Sequence, residues 1–337
     1  MSKKVKFHSL TGRITLPLMH KAFRAVKRNR GAPGIDKVSV QMFENQLEQN
    51  LDALMRELKS GEYRPLPLRR LYIPKGPGST KLRPLGIPVV RDRVAQEVVR
   101  LLLAPIFEPQ FHPASFGFIP NRNCHQALER VLELHRQGYT VVLDADIQGF
   151  FDNLSHKIIM DAVREEVADG NILNLVERFL TAGVVEEGDF RSTLIGTPQG
   201  GVISPLLANI VLNKLDWKLE AAGYRFARYA DDFVVLCQTH EQAQLNRVIR
   251  GTANYFATAF STSRWTFQKL DSWIRMRVRA MKYKRKNYGD NRKLGVKFFR
   301  HKLGLLSLEQ FCTERDSQGK VRYVLPRHGA TSFGVAR

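Results

Sequence analysis

Apolar positions recur at helical spacing through the first sixty residues. LPLMHKAFRAVKRN (16–29) predicts one helix, and GAPGID (31–36) breaks it. The run 38–61 then puts Met42, Phe43, Leu47, Leu51, Leu54 and Leu58 on a stripe that predicts a second. LPLRRLYIP (66–74) predicts an extended arm ending in the turn GPGST (76–80). RDRVAQEVVRLLLAPIFE (91–108) predicts an amphipathic helix, and the β-branched run TVVLDADI (140–147) a buried strand. Helices are expected at 155–168, 171–182 and 204–222. Two strand-like arms, YRFARYA and FVVLC, flank Asp231-Asp232, and basic helices are expected near 241–260 and 265–286. Short strands that do not alternate regularly with helices predict an α+β fold.

Charge changes this picture most. The 337 residues are 43% hydrophobic, enough for a sizeable core in two or three domains or subdomains. Lys and Arg number 53 against 32 Asp and Glu, a net +21. Residues 241–337 hold 21 of those bases and 6 of the acids, so most of the excess lies in the last third. That is the footprint of a polyanion-binding region joined to a more ordinary domain. Cys124, Cys237 and Cys312 lie far apart without a Cys-x-x-Cys pair, which excludes a zinc-ribbon spacing and a disulfide framework. The start, MSKKVKFHSL, lacks the apolar stretch of a signal peptide. The longest apolar runs, 98–107 and 202–212, are too short to span a bilayer, so no membrane partner and a cytoplasmic location are expected.

Candidate chemistry gathers in the middle of the chain. Asp146 ends the predicted strand, and Asp231 and Asp232 sit between two strand-like arms. Paired carboxylates in a tight hairpin beside a second acidic strand make an open oxygen cage of the kind Mg2+ takes. Asp also favours turns through its own backbone hydrogen bonds, so for the pair alone the turn reading stays open. Thr197-Pro198-Gln199-Gly200-Gly201 precedes a helix with Ser204 at a plausible cap and Pro205 at the first turn. A glycine pair there permits close backbone approach to a nucleotide. Arg69, Lys75 and Arg83 bracket the extended arm, where they suit a triphosphate or form ordinary surface charge.

Seven stretches in order resemble the reverse transcriptase/maturase proteins encoded by group II introns. They are GAPGID, YIPK with KLRPLGIP (72–75, 81–88), SFGFIPNRNCHQAL (115–128), DADIQGFFDNLSH (144–156), GTPQGGVISPLLANIVLN (196–213), RYADDF (228–233) and LNRVIRGTANYF (245–256). The resemblance implies a right-hand polymerase: fingers at 1–110, a palm with the metal site at 111–240, a helical thumb/maturase domain at 241–310, and a tail at 311–337. It implies catalysis and binding of two Mg2+ ions by Asp146, Asp231 and Asp232. Phe151 matches the aromatic that favours deoxynucleotides, Gln199 and Gly200 the lining of the nascent base pair, and Lys75, Arg83 and Arg69 the triphosphate grip. The implied partners are group II intron RNA, an RNA template, a DNA primer and dNTPs, with oligomeric state undetermined. Two positions depart from the family: Ile119 stands where GFRP has Arg, and Gln148 where Lys is usual. Asp144 does not match a metal position.

On WTFQKLDSWIRMRVRAMKYKRK, Leu270, Trp273, Ile274, Val278 and Met281 form an apolar stripe. Arg275, Arg279, Lys282, Lys284, Arg285 and Lys286 are the RNA-binding candidates. The family continues after its acidic motif with a helix, a further palm strand and a primer-gripping hairpin. Here residues 238–244 are seven in number. They span at most about 23–25 Å, too little for those elements. Two functions are therefore expected: reverse transcriptase with maturase activity and weakened primer support, or alternatively a catalytically idle RNA-binding maturase or RNA chaperone.

Overall fold

The computed structural model describes residues 6–74, 80, 82–146, 150–193, 196, 200–239, 314–315 and 321–322, with backbone alone for 144–146, 152–153 and the last two pairs. The chain divides into two units, Met1–Thr262 and Ser263–Arg337. In the second, β8 (Glu314–Arg315) and β9 (Val321–Arg322) form an antiparallel pair. The expected basic helices and the six RNA-binding candidates at 275–286 lie outside the described residues.

The first unit begins with helices. α1 (Leu16–Arg28) buries Met19, Ala22, Phe23 and Val26, one face at helical spacing. The single helix expected over 38–61 is two: α2 (Val40–Glu44) and α3 (Leu47–Ser60). The Ser39 hydroxyl accepts from Met42 N (3.1 Å) to cap α2, and Asn50 Nδ2 donates to Phe43 O (2.8 Å) across the break. The arm is a real hairpin, β1 (Leu68–Pro74) with β2 (Leu82–Ile87).

α4 (Val90–Phe107) is not amphipathic. Residues 92–99 are all buried, because α1, α3, α8 and α9 pack around it. Its polar side chains are spent internally. Asp92 accepts from Tyr63 OH (2.5 Å) and Leu66 N (2.8 Å), fixing the chain that enters β1. Arg93 Nε donates to Pro88 O (2.9 Å), and Arg93 Nη2 donates to Ala32 O in the GAPGID loop. A Cβ on Gly34 would stand 2.6 Å from Val89 Cα, so GAPGID is here a close-packing loop against the start of α4.

α5 (Cys124–Arg136) was not anticipated from periodicity. A capping box starts it, with Asn123 accepting from His125 N and Gln126 N while Gln126 reaches back to Asn123 N. β3 (Val141–Asp146) leads into α6 (Phe150–Asn153), α7 (His156–Arg164) and α8 (Gly170–Thr181). β4 (Val184–Glu186) and β5 (Asp189–Arg191) follow, then α9 (Ser204–Ala221), β6 (Arg225–Tyr229) and β7 (Asp232–Cys237). α9 starts one residue earlier than a Ser204 cap requires: Ile203 is its N-cap and Pro205 lies in its first turn.

Two sheets organise the site. In one, the order is β2-β1-β4-β5, so β4 and β5 extend the arm although they lie more than a hundred residues downstream. In the other it is β3-β7-β6, antiparallel throughout. A single apolar core runs beneath both helices and sheets, from Leu10 and Ile14 through Leu103, Phe150 and Leu207 to Val235.

Candidate active site

The register of the three-stranded sheet sets the acidic residues. Asp146 stands opposite Asp232 at the end of the β3–β7 ladder, where paired Cα atoms lie about 4.5–5.5 Å apart. Tyr229 pairs with Asp232, leaving Ala230 and Asp231 as a two-residue loop. Of those two, Ala230 alone has positive φ, +61°, as in a II′ hairpin. An alanine there costs roughly 1–2 kcal/mol, so the surroundings must impose it.

They do so with a buried polar network. Arg228, 1% exposed, donates through Nε and Nη2 to both carboxylate oxygens of Asp216 (2.8 and 2.7 Å). Its Nη1 donates to Asn209 Oδ1 (2.9 Å) and to the Ala230 carbonyl (2.7 Å). Asn209 Nδ2 donates to Gly117 O (2.8 Å), and Gly117 touches the turn so closely that a Cβ would stand 2.2 Å from Ala230 N. Phe116 N donates to Arg228 O and Arg228 N to Ala114 O, both at 2.9 Å. Arg122 Nη1 donates to His112 O and Ser115 O (2.6 and 2.7 Å), fixing the same segment from behind. Burial, then the nearby Arg228 charge, lowers the Arg122 guanidinium from its ordinary value. None of these roles was assigned from sequence. The available signal was Asn209 and Asp216, seven apart on α9 and therefore on one face after about two turns, among apolar residues such as Leu212 and Leu215.

The nucleotide-side candidates are partly assembled. Gly200 has φ +120°, and a Cβ on it would lie 2.3 Å from Gly86 O and 3.1 Å from Leu85 Cδ1. The glycine loop therefore lies against β2. Gln96 Oε1 accepts from Val202 N (2.7 Å), and His156 Nε2 donates to Gly196 O (2.6 Å), holding the loop at two further points. Arg69 pairs with Ile87 and Ile73 with Arg83, which puts both arginines on the hairpin face that also carries Leu85. Arg69 Nε is buried with no hydrogen-bond partner among the described residues, and Arg83 is exposed. Phe151 is half-buried, edge-on to buried Phe150 at 5.4 Å between ring centroids. Lys75 and Gln199 lie outside the described residues.

Among the described residues no group of three His, Cys, Asp or Glu side chains forms a metal site, and the Asp146 side chain is not one of them. The backbone nonetheless fits a divalent cation: three carboxylate-bearing residues meet at one strand end, and hard oxygen donors are what such an ion takes. An antiparallel sheet with an acidic hairpin, backed by helices and joined to an arginine-bearing arm, is a polymerase palm with fingers.

The comparisons make that class specific. The chain belongs to the reverse transcriptase (RNA-dependent DNA polymerase) family, whose pattern matches residues 73–265, and a group II intron maturase-specific domain matches 238–296. A reverse transcriptase pattern and a group II intron maturase pattern thus follow one another along the chain. The chain is 44% identical over 201 residues to protein YkfC of Escherichia coli (strain K12), covering 58% of this chain and 52% of YkfC. It is 39% identical over 203 residues to the group II intron-encoded protein LtrA of Lactococcus lactis subsp. cremoris, covering 60% of this chain and 33% of LtrA. The chain therefore spans about half the length of the first relative and a third of the second. Among solved structures, a partial Cas6-RT-Cas1–Cas2 complex aligns with 72% of this chain and 41% of its own at 21% identity and a TM-score of 0.45. Reverse transcriptases as a family use divalent metal ions. Among the described residues no helix is long and apolar enough to cross a membrane.

Proposed function

We propose that this chain copies RNA into DNA for a group II intron and helps the intron RNA splice and move. The observation that carries the reading is the β3–β7–β6 register, in which Asp146 pairs with Asp232 and Asp231 lies in the adjoining turn. The three aspartates would hold two Mg2+ ions. When bound, such a pair activates the attacking hydroxyl and neutralises charge on the leaving group. The primer 3′-oxygen attacks the α-phosphorus of a dNTP, the bond from that phosphorus to the bridging oxygen breaks, and pyrophosphate leaves with its electrons. The hydroxyl proton passes to solvent. Arg69, Lys75 and Arg83 grip the triphosphate, and the orphaned Arg69 Nε is a donor suited to such an oxygen. Gly200 and Gln199 line the base pair, and Phe151 underlies the sugar, where a 2′-hydroxyl would clash. Arg275, Arg279, Lys282, Lys284, Arg285 and Lys286 bind intron RNA.

Fingers, palm, thumb/maturase and tail follow the sequence boundaries given above. One observation favours the second reading, an idle RNA-binding maturase. The maturase match starts at residue 238, directly after β7 ends at Cys237. Little chain is left there for a primer-supporting hairpin, and a displacement of about 1 Å in such support costs on the order of 100-fold in rate. Extension of oligo(dT) on poly(rA) decides between them. Product that disappears in Asp231→Ala supports the polymerase. No product from either form, with intron RNA still bound, leaves the RNA-binding reading.

A further inference from the structure

We propose that Arg228 is a positioning residue that, with Asp216 and Asn209 of α9, clamps the Ala230 carbonyl and so sets where Asp231 and Asp232 stand. The proposal rests on the polymerase reading above. Four observations meet in it. Ala230 takes a backbone conformation that alanine disfavours, so something outside the loop must hold it. Arg228 Nη1 reaches the carbonyl of that same residue. The rest of the guanidinium is spent on Asp216 and Asn209, so its plane cannot rotate away. Asn209 also holds Gly117 O, and Gly117 is pressed against the other side of the turn.

The planar fork is needed for this. Nε and Nη2 face one carboxylate while the two N–H groups of Nη1 serve two further oxygens, a pattern that a lysine ammonium cannot reproduce. α9 begins three residues after Gly201, in the loop that Gly200 and Val202 anchor to β2 and α4. One rigid helix therefore carries both the nucleotide-side loop and the brace of the acidic turn. Side chains two turns apart on it fix the spacing between them.

Two measurements on the full chain test this. The first is amide hydrogen exchange at residues 229–232, read without metal. Arg228→Lys and the milder Asn209→Ala should speed exchange there at least tenfold, with α1 and α8 unchanged. The second is Mn2+ binding by electron paramagnetic resonance, with Asp231→Asn/Asp232→Asn as the baseline. Both variants should weaken the carboxylate-dependent binding about tenfold and shift the metal midpoint of any cDNA synthesis without lowering its plateau. Turn amides that exchange at the wild-type rate in both variants would overturn the clamp, as would faster exchange spread evenly over the fold. Faster exchange confined to the turn, in a protein that binds no Mn2+ and makes no cDNA, upholds the clamp and removes the polymerase reading instead.

Discussion

The hairpin that carries Asp231 and Asp232 and the arm that carries Arg69 and Arg83 are held in opposite ways. The hairpin is tied by Asn209 and Asp216, by the 114–117 segment and by its own Arg228, all at 1% exposure or less for the polar side chains. The arm is anchored at its root, where Asp92 holds Tyr63 and Leu66. Along its length Leu71, Tyr72 and Leu82 are 40%, 51% and 53% exposed, and Arg69 Nε has no described partner. A group that must place charge at a reacting centre gains from being fixed in advance. A group that must admit and release a charged nucleotide gains from being completed by it. Substitutions that sharpen this contrast should cost stability at the hairpin and affinity at the arm.

The largest effect is expected at the buried pair. Arg228→Met strands Asp216 without its partner and should cost about 3–5 kcal/mol in denaturant unfolding. Arg228→Met/Asp216→Leu should recover most of that stability while leaving the turn unclamped. A single variant as stable as wild type would erase the distinction between hairpin and arm.

The root of the arm should report through pH. Burial raises the Asp92 carboxyl to about 6, outweighing the hydrogen bonds from Tyr63 and Leu66. The folded state then holds a proton that the unfolded state, near 3.8, has given up. Stability from this group is full below about pH 4, falls as pH rises to about 6, and is flat above, a loss of order 3 kcal/mol. The difference between wild type and Asp92→Asn across pH 4–7 isolates that slope. A difference that does not change with pH would remove Asp92 as a titrating anchor.

Smaller effects follow at the loop between the two regions. Gly200→Ala forces a side chain onto Gly86 O at a φ that alanine disfavours. It should cost about 1–3 kcal/mol and raise the KM for dNTP. The smallest stability change belongs to Arg83→Ala on the exposed arm, within about 0.5 kcal/mol, with the loss read in KM for dNTP and not in Tm.

The same contrast explains what the sequence revealed. β3 and the β6–β7 hairpin were legible because apolar β-branched runs flank short acidic turns, and their pairing is local or strongly patterned. β4 and β5 were not. Each has three residues, Phe190 on β5 is 61% exposed, and β4 finds β1 across more than a hundred residues. No periodicity encodes such a pairing. α4 misled because polar residues usually mark a wet face, whereas Asp92, Arg93 and Gln96 bond inside the protein. The aspartates could be singled out by motif, but their brace could not. Arg228 reads as one more base in a basic chain until Asp216 and Asn209 are brought to it.

The most direct test of the account is incorporation of one dTTP opposite an RNA template adenosine, in Mg2+, by wild type and Asp231→Asn at equal protein. The account predicts incorporation by wild type and none above background by the variant, with both chains folded. Equal incorporation by the two would contradict the assignment of the β6–β7 turn as the catalytic seat.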